Sequence, residues 1–341
     1  MEKIKVLIVD DSPFTIDYLK KLLGDDSEIK VIGFANNGKE AVKKTKELLP
    51  DVIVMDIEMP IMSGIEATEK IMKEKPTPIV ILTSSLNTRN LYKSFDAIKN
   101  GALEILNKPT SRPTEEWDET IQNLLDTIKR ASKIKVSRKK TSTKSKQQKA
   151  DLNNKYSIIA INSSTGGPRT LNDIFSNLNE NFNLPILVAQ HIPAGFTLGL
   201  VDWLNIYSPL NIKIAEDDEM LKGGNIYFPP DGAHLTVRSD KIKLLFADPI
   251  RGIRPSGNIL FESVANNFGK ESIGIILTGM GTDGLNGAKK IKGLGGLIIA
   301  QEPNTTIVAG MPEAVIKNNL ADLILNPTDI INKISEIEEL I

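Results

Sequence analysis

The chain of 341 residues contains no cysteine, which excludes disulfides, thiolate metal sites and cysteine nucleophiles. It has only two histidines, so any base-assisted chemistry has two imidazoles to draw on. Its formal net charge of -1 gives no global attraction to nucleic acid or anionic membranes. No run approaches the roughly 18 apolar residues of a membrane span. The N-terminus, Met1 to Val6, runs straight into a strand-like segment without an apolar signal core. The expectation is a cytoplasmic protein with no membrane insertion and no nucleic-acid partner.

What is present is a βα rhythm in two blocks. In the first, apolar runs at 5–9, 31–34, 52–55, 79–82 and 103–106 alternate with helical spacing such as Ile16, Leu19, Leu22 and Leu23. Such alternation predicts an α/β domain with a doubly wound, five-stranded parallel sheet over residues 1–130. From 131 to 150 there are eight lysines or arginines and no acidic residue, and apolar periodicity stops. Like charge with low hydrophobicity predicts a basic flexible linker over 131–154. The rhythm resumes in 155–341 with runs at 157–161, 186–189, 226–228, 273–277 and 297–300, and a hairpin over 235–246. This predicts a second α/β domain with a mainly parallel sheet.

Ligands in parallel sheets sit beyond the carboxyl ends of the strands. In the first block those ends carry Asp10-Asp11, Asp56, Thr83-Ser84 and Lys108-Pro109. Three carboxylates in one crevice need a cation, and hard oxygen donors suit Mg²⁺ completed by a phosphate. In the second block Ser164-Thr165-Gly166-Gly167 follows one strand, His191 another and Asp283 a third. A serine hydroxyl needs a base in reach, and the base needs a third group to fix its tautomer. Ser164, His191 and Asp283 can fill those roles. The order Ser, His, Asp is not that of the familiar hydrolases, and Asn162 breaks G-x-S-x-G. Ser163 sets a second hydroxyl beside the first, while His234 reads as a structural histidine. Gly279-Met280-Gly281-Thr282-Asp283-Gly284, with Glu302 after the next strand, also fits a dinucleotide-binding turn. On residues alone, triad and dinucleotide site stay open.

The first block resembles the response-regulator receiver domain in Val9-Asp10-Asp11-Ser12, Met55-Asp56-Ile57-Glu58-Met59-Pro60, Met62-Ser63-Gly64, Thr83-Ser84 and Lys108-Pro109. The resemblance implies phosphorylation at Asp56. It also implies Mg²⁺ held by Asp11, Asp56 and the Glu58 carbonyl with Asp10 assisting, and Lys108 and Thr83 as switch residues. Ile105 stands where receivers usually carry an aromatic residue.

The second block resembles the catalytic domain of the chemotaxis protein-glutamate methylesterases, the CheB family. The resemblance lies in Ser164-Thr165-Gly166-Gly167, Gln190-His191-Ile192-Pro193, Ala215-Glu216-Asp217, Arg254-Pro255-Ser256, the segment 276–284 and Gly310-Met311-Pro312. It implies Ser164 as nucleophile, His191 as base and Asp283 as its acid, with backbone N–H groups near Thr165 and Met280 holding the oxyanion and no cofactor in this domain. The implied substrates are methyl-accepting chemoreceptors, and the implied phosphodonor is a chemotaxis histidine kinase. Two departures are Asn162-Ser163 for Gly-Ala, and Asn258 for an aspartate, neither expected to touch the triad. A receiver with a non-catalytic docking domain is the remaining alternative.

Overall fold

The computed structural model describes residues 2–83, 88–109, 117–134 and 155–339. Its contacts divide the chain into two compact units, Met1–Lys140 and Thr141–Ile341. Ser84 and most of the basic stretch, 135–154, lie outside the described residues.

In the first unit β1 (Ile4–Val9), α1 (Pro13–Gly24), β2 (Ile29–Ala35), α2 (Gly38–Leu48) and β3 (Val52–Asp56) are followed by α3 (Gly64–Glu74), β4 (Ile79–Thr83), α4 (Thr88–Lys99), β5 (Glu104–Asn107) and α5 (Trp117–Ala131). The strands are short β-branched runs buried on both sides, as a sheet covered on both faces requires. They pair in parallel in the order β2-β1-β3-β4-β5, which reverses direction between β1 and β3. Asp10 and Asp56 therefore stand at the switch point. Helix starts are set by local caps: the Ser12, Asn37 and Ser63 side chains accept N–H groups of their own first turns. Ile105 is buried in β5, paired with Ile81.

The second unit opens with β6 (Ile158–Ser163), α6 (Gly167–Phe175), β7 (Ile186–Gln190), α7 (Thr197–Tyr207), β8 (Asn211–Ile214) and β9 (Asn225–Phe228). The hairpin β10 (His234–Arg238) and β11 (Lys241–Leu245) leads to α8 (Gly257–Phe268), β12 (Ser272–Ile276) and α9 (Leu285–Gly293). β13 (Leu297–Gln301), α10 (Gly310–Lys317), β14 (Leu323–Leu325) and α11 (Pro327–Glu339) complete it. Seven strands pair in the order β14-β13-β12-β6-β7-β9-β8, and every pairing is parallel. The antiparallel hairpin forms its own two-stranded ribbon and packs on α8. Leu187, Tyr227, Leu235, Phe261 and Ile276 belong to one core that joins sheet, ribbon and α8.

From β6 the chain works outward through β7 on one side, then returns to β12 and works outward on the other. The switch point thus lies between β6 and β12, beside Ser164.

Candidate active site

Strand β6 continues through Ser163, so Asn162 and Ser163 belong to the strand and Ser164 is the first residue of the turn. Ser163 pairs in register with Gln190, the last residue of β7, which sets Ser164 and His191 next to each other beyond the strand ends. The backbone fixes this: His191 N–H donates to Ser163 O at 2.9 Å, and Ser164 N–H to Thr278 O at 3.0 Å. The Gln190 amide clasps both residues, donating to Ser164 O at 3.0 Å and His191 O at 2.7 Å. Thr278 Oγ1 donates to Thr165 O at 2.9 Å, tying the end of β12 to the same turn. At Gly279 a Cβ would stand 2.8 Å from Ser164 Cβ, so a side chain there would displace the serine.

His191 Nε2 lies 2.9 Å from Asp283 Oδ2. Since the carboxylate accepts, Nε2 carries the proton and Nδ1 is left as the basic nitrogen. Among the described residues Ser164 Oγ makes no hydrogen bond, so the histidine–aspartate leg is closed and the serine–histidine leg open. Catalytic hydrogen bonds of this kind commonly tighten only around substrate.

Asp283 is held by more than its histidine. Ser256 Oγ donates to Oδ1 at 2.8 Å, Gly257 N–H to Oδ2 at 2.6 Å, and Asn258 to Oδ1 through N–H at 3.2 Å and Nδ2 at 2.9 Å. These residues begin α8, whose Ser256 N-cap makes no side-chain bond to its own helix. The carboxylate of Asp283 caps that helix from 26 residues away, taking its orphan N–H groups at the positive end of its dipole. Burial pushes the Asp283 carboxyl up, but His191, Gly257 N–H and the Ser256 hydroxyl outweigh it and hold the pKa at about 2.

Both family departures meet this acid. Asn258 donates to its carboxylate, and Asn162 Nδ2 donates to the Asp283 carbonyl at 3.0 Å. The expectation that neither touches the triad is thereby corrected: loop 254–258 and strand β6 converge on Asp283 in three dimensions only. Ser163 is fully buried, and its Oγ donates to Gln190 Oε1 at 2.6 Å. It braces the clasp and presents no hydroxyl to substrate. His234, read as merely structural, accepts the Ser256 N–H on Nδ1 at 3.0 Å.

The donors foreseen for an oxyanion are the backbone N–H groups of Thr165, which follows Ser164 in the chain, and Met280, which follows Gly279, whose Cβ position lies 2.8 Å from Ser164 Cβ. Thr165 begins the turn into α6, where Gly166 adopts φ 79° against Ile307, a conformation suited to glycine. Met280 follows the Thr278-Gly279 contact and is half exposed. The dinucleotide alternative fares poorly here. A diphosphate at the start of α9 would meet the ionised Asp283 one residue before the helix N-cap, and Gly287 N–H is already taken by Asn258 Oδ1 at 3.0 Å.

The first unit carries a separate cluster. Ligand oxygens of Asp10, Asp11 and Asp56 lie within 4.8 Å of one another. Lys108 Nζ sits 2.7 Å from Asp10 Oδ2 and 2.9 Å from Asp56 Oδ2. Burial raises the Asp56 carboxyl, with Asp10 adding to it against the Lys108 ammonium. Burial also opposes the Lys108 charge, but Asp56 and Asp10 prevail and raise its pKa. Thr83 ends β4 and its carbonyl accepts Lys108 N–H at 2.8 Å. Glu58, exposed, follows Asp56 by two residues on the loop to α3.

Residues 159–334 match the CheB methylesterase family, and residues 6–115 match the response regulator receiver domain. A Thermotoga maritima protein named protein-glutamate methylesterase/protein-glutamine glutaminase is 40% identical over 347 residues, covering 98% of each chain. A Myxococcus xanthus protein of the same name, numbered 4, is 37% identical over 342 residues, covering 98% of this chain and 97% of its own. The crystal structure of the Thermotoga maritima CheB methylesterase catalytic domain superimposes with a TM-score of 0.51 at 40% identity, over 55% of this chain and 99% of that one. No helix among the described residues is long and apolar enough to cross a membrane.

Proposed function

The chain belongs to the CheB methylesterase family and carries a response regulator receiver domain; from that premise we propose a phosphorylation-regulated protein-glutamate methylesterase and protein-glutamine glutaminase acting on chemoreceptors in adaptation. The observation that carries the reading is the 2.9 Å bond between His191 Nε2 and Asp283, beside Ser164 at the sheet's switch point.

Ser164 Oγ attacks the carbonyl of a glutamate γ-methyl ester while His191 Nδ1 takes its proton. Asp283 keeps the imidazole in the required tautomer and stabilises its charged form. Backbone N–H groups of Thr165 and Met280 hold the oxyanion, each worth about 3 kcal/mol in such sites. His191 returns the proton to the departing oxygen, and methanol leaves. Water, activated by the same imidazole, then cleaves the glutamyl-enzyme to a free carboxylate. Attack on a glutamine side-chain amide follows the same steps and releases ammonia.

In the receiver, Asp56 accepts a phosphoryl group from a chemotaxis histidine kinase. The oxygen donors Asp10, Asp11, Asp56 and the Glu58 carbonyl suit Mg²⁺, which would neutralise charge on the incoming phosphoryl group. Lys108 then pairs with the phosphoryl oxygens, and Thr83 at the end of β4 bonds them. Phosphorylation adds close to two negative charges, and relieves the restraint that the receiver places on the esterase. The functional domains are residues 1–130 and 155–341, joined by the basic stretch 131–154.

The test is methanol release from methyl-labelled receptor membranes, with and without phosphodonor. Release that rises with phosphodonor in the parent and stays basal in Asp56→Asn supports the reading. Absence of methanol from the parent would leave a docking protein instead.

A further inference from the structure

We propose that His234 is a positioning residue of the esterase site, setting Asp283 through the start of α8; the inference rests on the triad reading above. His234 opens β10, far from Asp283 in sequence, and is 0% exposed. Its Nδ1 accepts the Ser256 N–H at 3.0 Å, and its Nε2 lies 3.3 Å from the Asp248 carbonyl. Only a ring neutral on Nδ1 and protonated on Nε2 satisfies both contacts. Burial favours that neutral form and lowers the pKa; the Arg254 charge adds to this, against the Asp248 carbonyl and Asp283.

Ser256 is the hinge of the arrangement. With its N–H fixed by His234, its Oγ and the next two backbone N–H groups point at one carboxylate. Three of the groups that orient Asp283 thus sit on consecutive residues whose first member is pinned by His234. A shift of loop 254–258 would move all of them together and rotate Asp283 away from His191 Nε2. Misplacement of a catalytic group by about 1 Å costs up to about 100-fold in rate. His234 touches no substrate atom, so its effect falls on kcat rather than KM.

The two contacts of the ring separate chemically. In His234→Asn the amide oxygen occupies the place of Nδ1 and can still accept from Ser256. In His234→Gln the amide reaches only to the level of Nε2 and leaves Ser256 N–H without its acceptor. The experiment compares full-length parent, His234→Asn and His234→Gln, with kcat counted per site labelled by a serine-reactive fluorophosphonate, so that any unfolded fraction drops out. The expected result is a kcat within about threefold of the parent for Asn, and a fall of about 10- to 100-fold for Gln, with KM unchanged in both. A Gln variant within about threefold of the parent, an Asn variant that falls as far as Gln, or a loss carried by KM overturns the inference. A parent that releases methanol without labelling at Ser164 overturns the nucleophile assignment beneath it, which a labelled parent with misordered variants does not.

Discussion

His191 presents Nε2, not Nδ1, to Asp283, at 2.9 Å. That bond assigns the proton to Nε2, which donates to the carboxylate, and leaves the lone pair on Nδ1. An amide at position 283 would offer NH₂ to some of the donors that now meet a carboxylate, and would no longer stabilise imidazolium. Asp283→Asn is expected to lower kcat about 10³- to 10⁴-fold while the folded chain persists. Steady-state methanol release together with circular dichroism checks both halves.

The pH dependence of stability follows from the same carboxyl. Its folded pKa of about 2 lies below the roughly 3.9 of an unfolded aspartate. The folded state therefore binds this proton less readily than the unfolded state. Its contribution is fully present above about pH 4 and is lost as pH falls toward 2. Thermal melts of the parent should lose more stability between these pH values than melts of Asp283→Asn. Equal losses would contradict the assignment.

The two adjacent serines should behave differently. Ser163→Ala removes a buried hydrogen bond to Gln190 and leaves the amide oxygen without that donor. The expected cost is about 1–3 kcal/mol in stability, with methanol release per folded molecule reduced far less than in Ser164→Ala. Urea titrations monitored beside activity separate the two effects.

In the receiver, chelation of divalent cations should stop phosphoryl incorporation at Asp56 while leaving basal esterase activity unchanged, because the acidic cluster and the triad occupy separate domains. Lys108→Ala removes the cation that separates Asp10 from Asp56. It should raise the affinity for Mg²⁺ and weaken the response of the esterase to phosphodonor. Fluorescence titration with Mg²⁺ and phosphodonor-dependent methanol release are the readouts.

Much of this was legible in the sequence, because buried parallel strands announce themselves as apolar runs and their carboxyl ends carry the chemistry. Ser164, His191 and Asp283 each follow such a run. β8 and β14 escaped notice: Asn-Ile-Lys-Ile and Leu-Ile-Leu are too short, and in β8 too polar, to stand out from loops. The hairpin was legible, but not its separation from the seven-stranded sheet, which depends on tertiary packing. Nor could the sequence reveal that Ser256, Asn258 and His234 gather around Asp283. No local pattern encodes a helix capped by a carboxylate from a different strand end.

The central claim is that Ser164, activated by His191 and Asp283, is the nucleophile. Reaction of the full-length protein with a fluorophosphonate, digestion, and mass spectrometry of the peptide spanning 158–169 test it most directly. The account predicts one adduct on Ser164, formed far more slowly in His191→Ala. An adduct on Ser163, or labelling at an unchanged rate in His191→Ala, would contradict it.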